Sequence, residues 1–436
     1  MRWMWAILLA GPLAAAPLEL SLKRAVQLAM APDGNTRVQL SGEALKQAQS
    51  RSAQSRSALL PNLSSAFSAQ NQTRNLAAFG IHFTFPIPGF SIPTFVGPFS
   101  TIDARVSAVQ NVFDFASIRR YQASKTMVSA AKSDVNGAGE QVAAQVARAY
   151  LAAIRADADV AVAQANIALS EAVLKQAENQ KAAGTGTGIE ITRARVQLAN
   201  DRQRLLVSDN ARRSAVLQLL RALNLRLDTE IVLTDKLDYV PVDPVTLDAA
   251  RAQALKQRPD LEAQREREDS ARLSASATRL ERLPSVAAFG DYGANGTGFD
   301  ASVPTRTYGI SVRIPVFDGG RRDARRAESA SQYRAEKIRT ADIRQQVELD
   351  VRLALDALHS AEDQVQVARE GLQLAESELT QARRRYDAGV AVTVEVTDAQ
   401  SRLERARDNQ TVALYNYNVA RIDLAQAMGA VRKMVQ

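Results

Sequence analysis

The sequence predicts a mostly α-helical chain with a smaller β part, built as two similar halves. Alanine is abundant, while 436 residues include only 21 glycines, 14 prolines and 5% aromatic residues, a helix-rich composition. Two long stretches carry apolar residues at every seventh position, the pattern of supercoiled helices. The same short motifs also occur twice in the same order, between 204 and 223 residues apart.

The composition excludes several kinds of chemistry. The chain has no cysteine and two histidines, His82 and His359, so thiolate nucleophiles, disulfides and cysteine-based metal sites are excluded. It contains no GxSxG, HExxH or dinucleotide-binding motif. We therefore predict no enzyme activity, no cofactor and no metal. The net charge is +8, but the basic residues are spread along the helices among acids, so no nucleic-acid partner is expected.

The N-terminus has the features of an export signal. Arg2 precedes an apolar run, and small residues follow at Ala14–Ala16. The run is too short to span a membrane comfortably, although a short anchor is the alternative interpretation. We expect a signal peptide at residues 1–16 and an exported mature chain.

Repeated motifs divide the mature chain into two halves. The motif pairs are Leu60-Pro61 with Leu283-Pro284, Val112-Phe113-Asp114 with Val316-Phe317-Asp318, Gln141-Val142 with Gln346-Val347, Ala183-Gly184 with Ala388-Gly389, and Glu190 with Glu395. We predict a first structural repeat at 17–224, a connector at 225–243, a second repeat at 244–429 and a C-terminal tail at 430–436. The connector contains one candidate extended segment, at 230–233.

Each half has the order helix, strand, loop, strand, long helix, tight turn, long helix. Pro61 and Pro284 end the helix before the first strand, because proline cannot continue helical hydrogen bonding. In the first half the strands are predicted at about 61–72 and 101–113, and the long helices at about 114–183 and 189–224. In the second half the strands are predicted at about 284–294 and 305–317, and the long helices at about 318–388 and 393–428.

The long helices carry two apolar rows. One row of the second half runs from Val351 to Tyr386 in steps of seven, and an alanine row runs from Ala354 to Ala382. This spacing predicts a left-handed supercoil, and the alanines let neighbouring backbones approach closely. Heptads alone would favour an ordinary rod-like coiled-coil hairpin, but the strands and the duplicated motifs argue against it.

The strands alternate between apolar and polar residues, as expected for a sheet with one face in lipid and one in water. The predicted lipid-facing residues are Ile102, Val106, Tyr308, Ile310 and Val312. Four strands are too few to close a membrane barrel, so several chains must share one; three chains would give twelve strands. A half-buried sheet of a soluble protein has the same period and is the alternative.

An uncharged aromatic loop joins the first two strands. The 28 residues from Asn75 to Ile102 hold no acidic, lysine or arginine side chain and include six of the twelve phenylalanines. Four prolines prevent a spanning helix. Such a loop fits the lipid–water interface or a plug over a barrel mouth.

Paired motifs carry a family resemblance. They are LPN and LPS before the strands, NVFDF and PVFDGG after them, and AGTGTGIEITRAR and AGVAVTVEVTDAQSRL at the turns between the long helices. Together, in order and twice, they make the sequence resemble the TolC-like outer-membrane efflux proteins, the outer membrane factors of tripartite exporters. The resemblance covers nearly the whole mature length.

The resemblance implies a fold, a location and partners. The implied fold is a homotrimer with a long α-helical coiled-coil barrel and a shared 12-stranded β-barrel, four strands per chain. It implies the outer membrane of a Gram-negative-type bacterium, in contact with its lipid, with a periplasmic helical portion. A periplasmic adaptor (membrane fusion) protein and an inner-membrane pump of the RND or ABC type are the implied partners. The implied function is a passive exit duct of a tripartite efflux or type I secretion system, gated at the periplasmic tip.

The resemblance also assigns a pore constriction. Glu395 and Asp398 match acidic residues that ring the pore of family members. Their i, i+3 spacing places both on one helix face, and six carboxylates in a trimer would favour cations. The alternative is that they only stabilise the first turn of their helix.

Gate and partner contacts are assigned in the same way. Tyr386 and Glu190 match residues that link the hairpins and hold the tip shut, although a packing role for Tyr386 is equally compatible. A family arginine of this network is replaced by Ala391, so the gate here is expected to be held differently. The turn glycines expected to contact the adaptor are Gly184, Gly186, Gly188 and Gly389. A soluble periplasmic coiled-coil adaptor is the alternative function, although the glycine- and valine-rich modules of adaptors are missing from this sequence.

Overall fold

The computed structural model describes residues 18–31, 33–80, 94–388 and 390–435. The predicted signal peptide at 1–16, the middle of the aromatic loop at 81–93 and the turn residue Gly389 lie outside the described residues. The helices are α1 Leu22–Ala29, α2 Thr36–Ser57, α3 Phe115–Ala182, α4 Gly188–Ala222, α5 Leu247–Gln257, α6 Pro259–Leu280, α7 Arg321–Asp387, α8 Thr393–Ala427 and α9 Val431–Val435. The strands are β1 Leu18–Leu20, β2 Asn62–Asn75, β3 Phe95–Phe113, β4 Ile231–Leu233, β5 Ser285–Gly296 and β6 Val303–Arg313.

Several boundaries differ from the sequence prediction, and three of them have a clear physical reason. The strand β3 begins at Phe95, before the predicted residue 101, because the aromatic segment continues to pair with β2. The strand β6 ends at Arg313 and not at 317, since Pro315 has no N–H to donate. The helix α7 begins at Arg321 and not at 318, because Gly319 and Gly320 have φ values of +68° and +84°, outside the helical region.

The chain folds into two compact units, and each draws on both sequence halves. One unit contains the described residues of Met1–Ala44, Lys132–Ala263 and Ala341–Gln436. The other contains Leu45–Ala131 and Gln264–Thr340. The sequence repeats at 17–224 and 244–429 therefore remain a proposal about chain duplication and do not coincide with these units.

The second unit contains a four-stranded antiparallel sheet in the order β2-β3-β5-β6. The two halves of the sequence meet where β3 pairs with β5, with Val106 opposite Tyr292. Among the described strands, β2 and β6 each have a partner on one side only. Both outer strands thus present backbone hydrogen-bonding groups along a free edge.

Apolar clusters of long-helix residues form most of the core of the first unit. One cluster contains Val351, Leu358 and Val365 of α7 with Ala413, Tyr417 and Leu424 of α8. Another combines residues of four helices: Val173, Ala194, Leu379, Tyr386, Val396 and Leu403. The burial of these positions confirms the predicted heptad rows, because both rows point into the helix–helix contacts.

A short parallel pair of strands joins residues 18–20 to the connector. The candidate extended segment at 230–233 forms β4, which pairs with β1 through Leu20 opposite Leu233. The buried Tyr150 of α3 donates its hydroxyl to the backbone oxygen of Leu20 at 2.8 Å. The predicted C-terminal tail includes α9, which the carboxylate of Glu140 caps by accepting from the backbone N–H of Val431 at 2.8 Å.

Candidate functional site at the hairpin turns

The turn between α3 and α4 closes the first hairpin, defined as those two helices. Gly184 has φ +74°, a left-handed conformation that costs other residues energy. A Cβ at Gly186 would lie 2.9 Å from the backbone nitrogen of Lys181, too close for an ordinary contact. Gly188 is the first residue of α4, and a Cβ there would lie 3.8 Å from Nζ of Lys181, an ordinary contact. The glycines of the first turn therefore permit a tight reversal and an uncovered surface.

Glu190 has a local role at the start of α4. Its carboxylate accepts a hydrogen bond from the backbone N–H of Thr187, the N-cap residue, at 2.8 Å. This arrangement satisfies a backbone donor that would otherwise lack a helical partner. The structure thus shows a capping contact of Glu190, and its predicted part in the gate stays a prediction.

The turn between α7 and α8 closes the second hairpin, defined as those two helices. Glu395 lies in the first turn of α8, and Arg385 lies in the last turn of α7. The two side chains form an ion pair at 3.2 Å within one chain. Sequence reasoning missed Arg385, although the position of a basic side chain opposite an acid across a short turn could have indicated it.

Asp398 follows Glu395 by one helical turn and is exposed. Within the described residues it has no ion pair. The two predicted constriction acids therefore differ electrostatically: a cation of the same chain offsets the charge of Glu395, whereas Asp398 keeps its full charge toward solvent.

Tyr386 connects the two hairpins. Its ring is buried in the cluster shared by the four helices, and its hydroxyl donates to the side-chain oxygen of Gln180 on α3. A second link lies beside it, where the side-chain nitrogen of Gln176 donates to Asp387. The structure thus shows that Tyr386 is packed in this cluster and bonded to Gln180, a partner that sequence reasoning missed, and its predicted part in holding the tip shut stays a prediction.

A buried polar cluster lies farther from the turns, among α3, α4 and α8. We define it as Ser170, Gln197, Asp201, Gln400 and Glu404. Gln400 donates to the hydroxyl of Ser170 at 2.7 Å, and that hydroxyl donates to Asp201 at 2.5 Å. The amide nitrogen of Gln197 lies 3.2 Å from one oxygen of each carboxylate, Asp201 and Glu404. The chain of bonds thus ties α8 to both helices of the first hairpin.

Burial and charge shift the proton affinity of this cluster. Asp201 is 1% exposed and Glu404 is 2% exposed. Burial, followed by the charge of Asp201, raises the pKa of Glu404 above its ordinary value, and the ion pair with Arg204 at 2.6 Å opposes this rise. One sequence signal for the cluster existed, since Ser170 interrupts a heptad row of alanines between Ala163 and Ala177.

The four-stranded sheet has one apolar and one polar face. Register places the five predicted lipid-facing residues on the same face, and Val106, Tyr308, Ile310 and Val312 are exposed in the chain while Ile102 is half-buried. On the polar face, Arg105 of β3 forms ion pairs with Asp103 at 2.8 Å and with Asp291 of β5 at 3.0 Å. This charged group bridges the two strands that join the sequence halves.

The described ranges contain neither a cluster of metal-ligating side chains nor a membrane-spanning helix. No three or more histidine, aspartate or glutamate side chains lie close enough there to hold a metal ion. None of the helices within those ranges combines the length and hydropathy needed to cross a bilayer.

Comparison with known proteins agrees with the resemblance seen in the motifs. The model of the outer membrane efflux protein family matches residues 34–225 and 250–430. The alkaline protease secretion protein AprF of Pseudomonas aeruginosa is 22% identical over 72% of this chain and 67% of its own length. The pyoverdine export outer membrane protein OpmQ of Pseudomonas putida is 26% identical over 65% of this chain and 61% of its own length.

The fold is also similar to that of solved structures. The outer membrane protein VceC of Vibrio cholerae superposes with a TM-score of 0.79 at 17% identity, covering 94% of this chain and 96% of VceC. This likeness supports the predicted mostly helical fold with a strand part. With the family model matching most of the sequence, the chain belongs to the outer membrane efflux protein family and is a protein of the outer membrane.

Proposed function

We propose that the chain forms a trimeric exit duct, gated at its helical hairpin turns, for a tripartite efflux or type I secretion system. The observation that carries this proposal is a sheet with an exposed apolar face, a polar opposite face and two free edges. The duct conducts its cargo passively, because the chain contains no motif for bond chemistry.

The sheet supports assembly through its edges and its faces. Tyr308 is 81% exposed and Ile310 is 73% exposed on the apolar face of β6. Unsatisfied edges are not tolerated in lipid, so β6 of one chain must pair with β2 of another. Three chains of four strands give a closed twelve-stranded barrel whose polar faces line a wet lumen.

The helices supply a matching contact surface. Leu353, Val367 and Leu374 of α7 are exposed and fall on one heptad row. Apolar residues at this spacing pack against a supercoiled neighbour. A second copy of the chain is the neighbour that the trimer provides, and these contacts would form a helical duct.

The hairpin turns form the gate and the adaptor contact in this proposal. Glu395 and Asp398 line the constriction, and the bond from Tyr386 to Gln180 holds the second hairpin against the first. Glu190 supports the gate by shaping the start of α4. The glycine turn at Gly184, Gly186 and Gly188 offers the surface for a periplasmic adaptor, and Gly389 is proposed as a further contact on the basis of its sequence position.

The relatives suggest which systems use the duct. AprF is named for the secretion of alkaline protease, and OpmQ for the export of pyoverdine. For this chain we propose a periplasmic adaptor and an inner-membrane pump of the RND or ABC type as partners. Family membership favours this duct over the soluble adaptor considered as an alternative.

Conductance in planar lipid bilayers tests the duct. Purified trimers should form long-lived pores that prefer cations, with conductance proportional to the number of inserted trimers. A protein that extracts without membrane solubilisation and forms no pores would contradict the proposal and favour an adaptor.

A further inference from the structure

The buried polar cluster contains more negative charge than its surroundings balance. Asp201 and Glu404 share the amide of Gln197, and among the described residues the cation that contacts them is Arg204, whose side chain is 57% exposed. Asp201 receives its hydrogen bonds from neutral donors, Ser170 and Gln197. Two carboxylates therefore share one partly solvated counter-charge, an arrangement that favours uptake of a proton.

An acceptor without a hydrogen-bond donor in the same cluster also favours the uptake of a proton. Gln400 is fully buried, and its amide nitrogen donates to Ser170. Among the described residues, no donor reaches its amide oxygen. A protonated carboxyl group adds a donor to a cluster that is otherwise rich in acceptors, so uptake of a proton reduces both the excess negative charge and the excess of acceptors.

Within the part of the chain that the structure describes, the other nearby arginines pair with groups outside the cluster. Arg155 lies 3.8 Å from Asp159 of the same helix, and Arg202 of α4 pairs with Glu171 of α3 at 3.2 Å. Arg407 donates to Asn166 of α3 at 3.0 Å. Asp408 adds negative charge near Glu404 and raises its proton affinity further.

We propose that the Asp201–Glu404 pair is a proton-binding site that fastens α8 to the first hairpin and so couples the closed state of the duct to acidity. This inference rests on the proposed gated duct. The site is separate from the turn residues, since Glu404 follows Glu395 by nine positions, about 14 Å along α8. Its ligand is a proton, which reaches the periplasm freely from outside the cell.

The direction of the effect follows from the raised pKa of Glu404. A carboxyl whose pKa is higher in the packed state binds protons more tightly there, so acid favours packing. The contribution is complete when Glu404 is protonated and is lost as the pH rises through its raised pKa. A tenfold difference in proton affinity between the closed and open states changes their ratio up to about tenfold.

Two measurements on the reconstituted trimer test the site. Infrared titration from neutral to acidic pH should show a protonated buried carboxyl that forms at a higher pH than the exposed glutamates and that is absent in Glu404→Gln. Single-channel recording over the same range should show wild-type open probability falling severalfold in acid. Glu404→Gln, which resembles the protonated side chain, should stay at the low value at every pH.

Matched variants separate this site from the gate itself. Glu378→Gln removes an exposed acid of α7 and should leave the titration and the pH response as in the wild type. Asp201→Asn removes the second carboxylate and should lower the pH at which Glu404 titrates. This variant still tests the site if Glu404→Gln assembles poorly. A pH response that persists in Glu404→Gln, or an absent carboxyl titration in a conducting wild type, would overturn the site. A wild type that shows the titration but never conducts would instead contradict the duct.

Discussion

At the scale of single residues, Arg385 changes the charge expected at the constriction. The acids alone give six negative charges in a trimer, but each Arg385 lies 3.2 Å from a Glu395. The three arginines reduce the net charge at the turns to about minus three, counted over Glu395, Asp398 and Arg385 of three chains. The preference of the pore for cations should therefore be moderate. It should come mainly from the charge of Asp398, which Arg385 does not offset.

This charge balance predicts the ion selectivity of variants. Arg385→Gln should raise the cation-to-anion permeability ratio roughly two- to fivefold, because one positive charge per chain disappears. The double variant Glu395→Gln with Asp398→Asn should prefer anions, since three arginines then remain without their acids. Reversal potentials in asymmetric salt measure both effects.

The exposed Arg402 of α8 is the matched control for Arg385. It pairs with Glu378, so Arg402→Gln removes the same charge from the same hairpin away from the two acids. Its permeability ratio should equal that of the wild type. A double acid variant that merely loses selectivity, without reversal, would mean that Arg385 does not face the ion path.

The residue scale also shows what a sequence can reveal about a site. The i, i+3 spacing of Glu395 and Asp398 is visible in the sequence, because a helix fixes which side chains share a face. The pairing with Arg385 is not, because it depends on how the turn brings two helix ends together. The same holds for Gln180 and Tyr386, which are separated by 206 positions and meet only after the hairpins pack.

At the scale of elements, the tight turn of the first hairpin depends on Gly184. Gly184→Ala places a side chain at φ +74° and should destabilise the turn by about 1 kcal/mol. Amide hydrogen exchange at residues 180–187 should then be about fivefold faster, as such a difference in opening free energy requires.

Gly371 in the middle of α7 provides the opposite control. A Cβ there meets nothing within 4 Å, so Gly371→Ala should strengthen the helix by about 0.5–1 kcal/mol and slow local exchange. Equal effects of the two substitutions would show that the turn at Gly184 is not strained by a side chain.

Heptad rows predict the long helices well because buried positions repeat with the helical period over many turns. Their ends are harder to predict, as the double glycine before α7 shows: the heptad pattern gives no warning of two left-handed residues. The pairing of β1 with β4 could not be predicted from the sequence, because each strand has only three residues and the two lie more than 200 positions apart.

At the scale of the whole molecule, the fold class follows from the sequence but the closure of the sheet requires more than one chain. Alternation of apolar and polar residues predicts two different faces without stating what covers the apolar one. A single chain leaves β2 and β6 as edges and Ile310 exposed. Lipid would cover the apolar face that contains Ile310, and neighbouring chains would pair with the edges of β2 and β6.

Neighbouring residues of β6 test that assembly directly. Ile310 lies on the apolar face and Ser311 on the polar face, and both are exposed in the single chain. Ile310→Asp places a charged side chain against lipid, which should cost a free energy on the order of 2 kcal/mol per chain. Because a trimer contains three copies of the substitution, stable assembly should be prevented. Ser311→Asp should leave the trimer intact because its carboxylate reaches the wet lumen. Unheated gel mobility and outer-membrane fractionation measure the outcome, and equal behaviour of the two variants would mean that both faces of the sheet meet water.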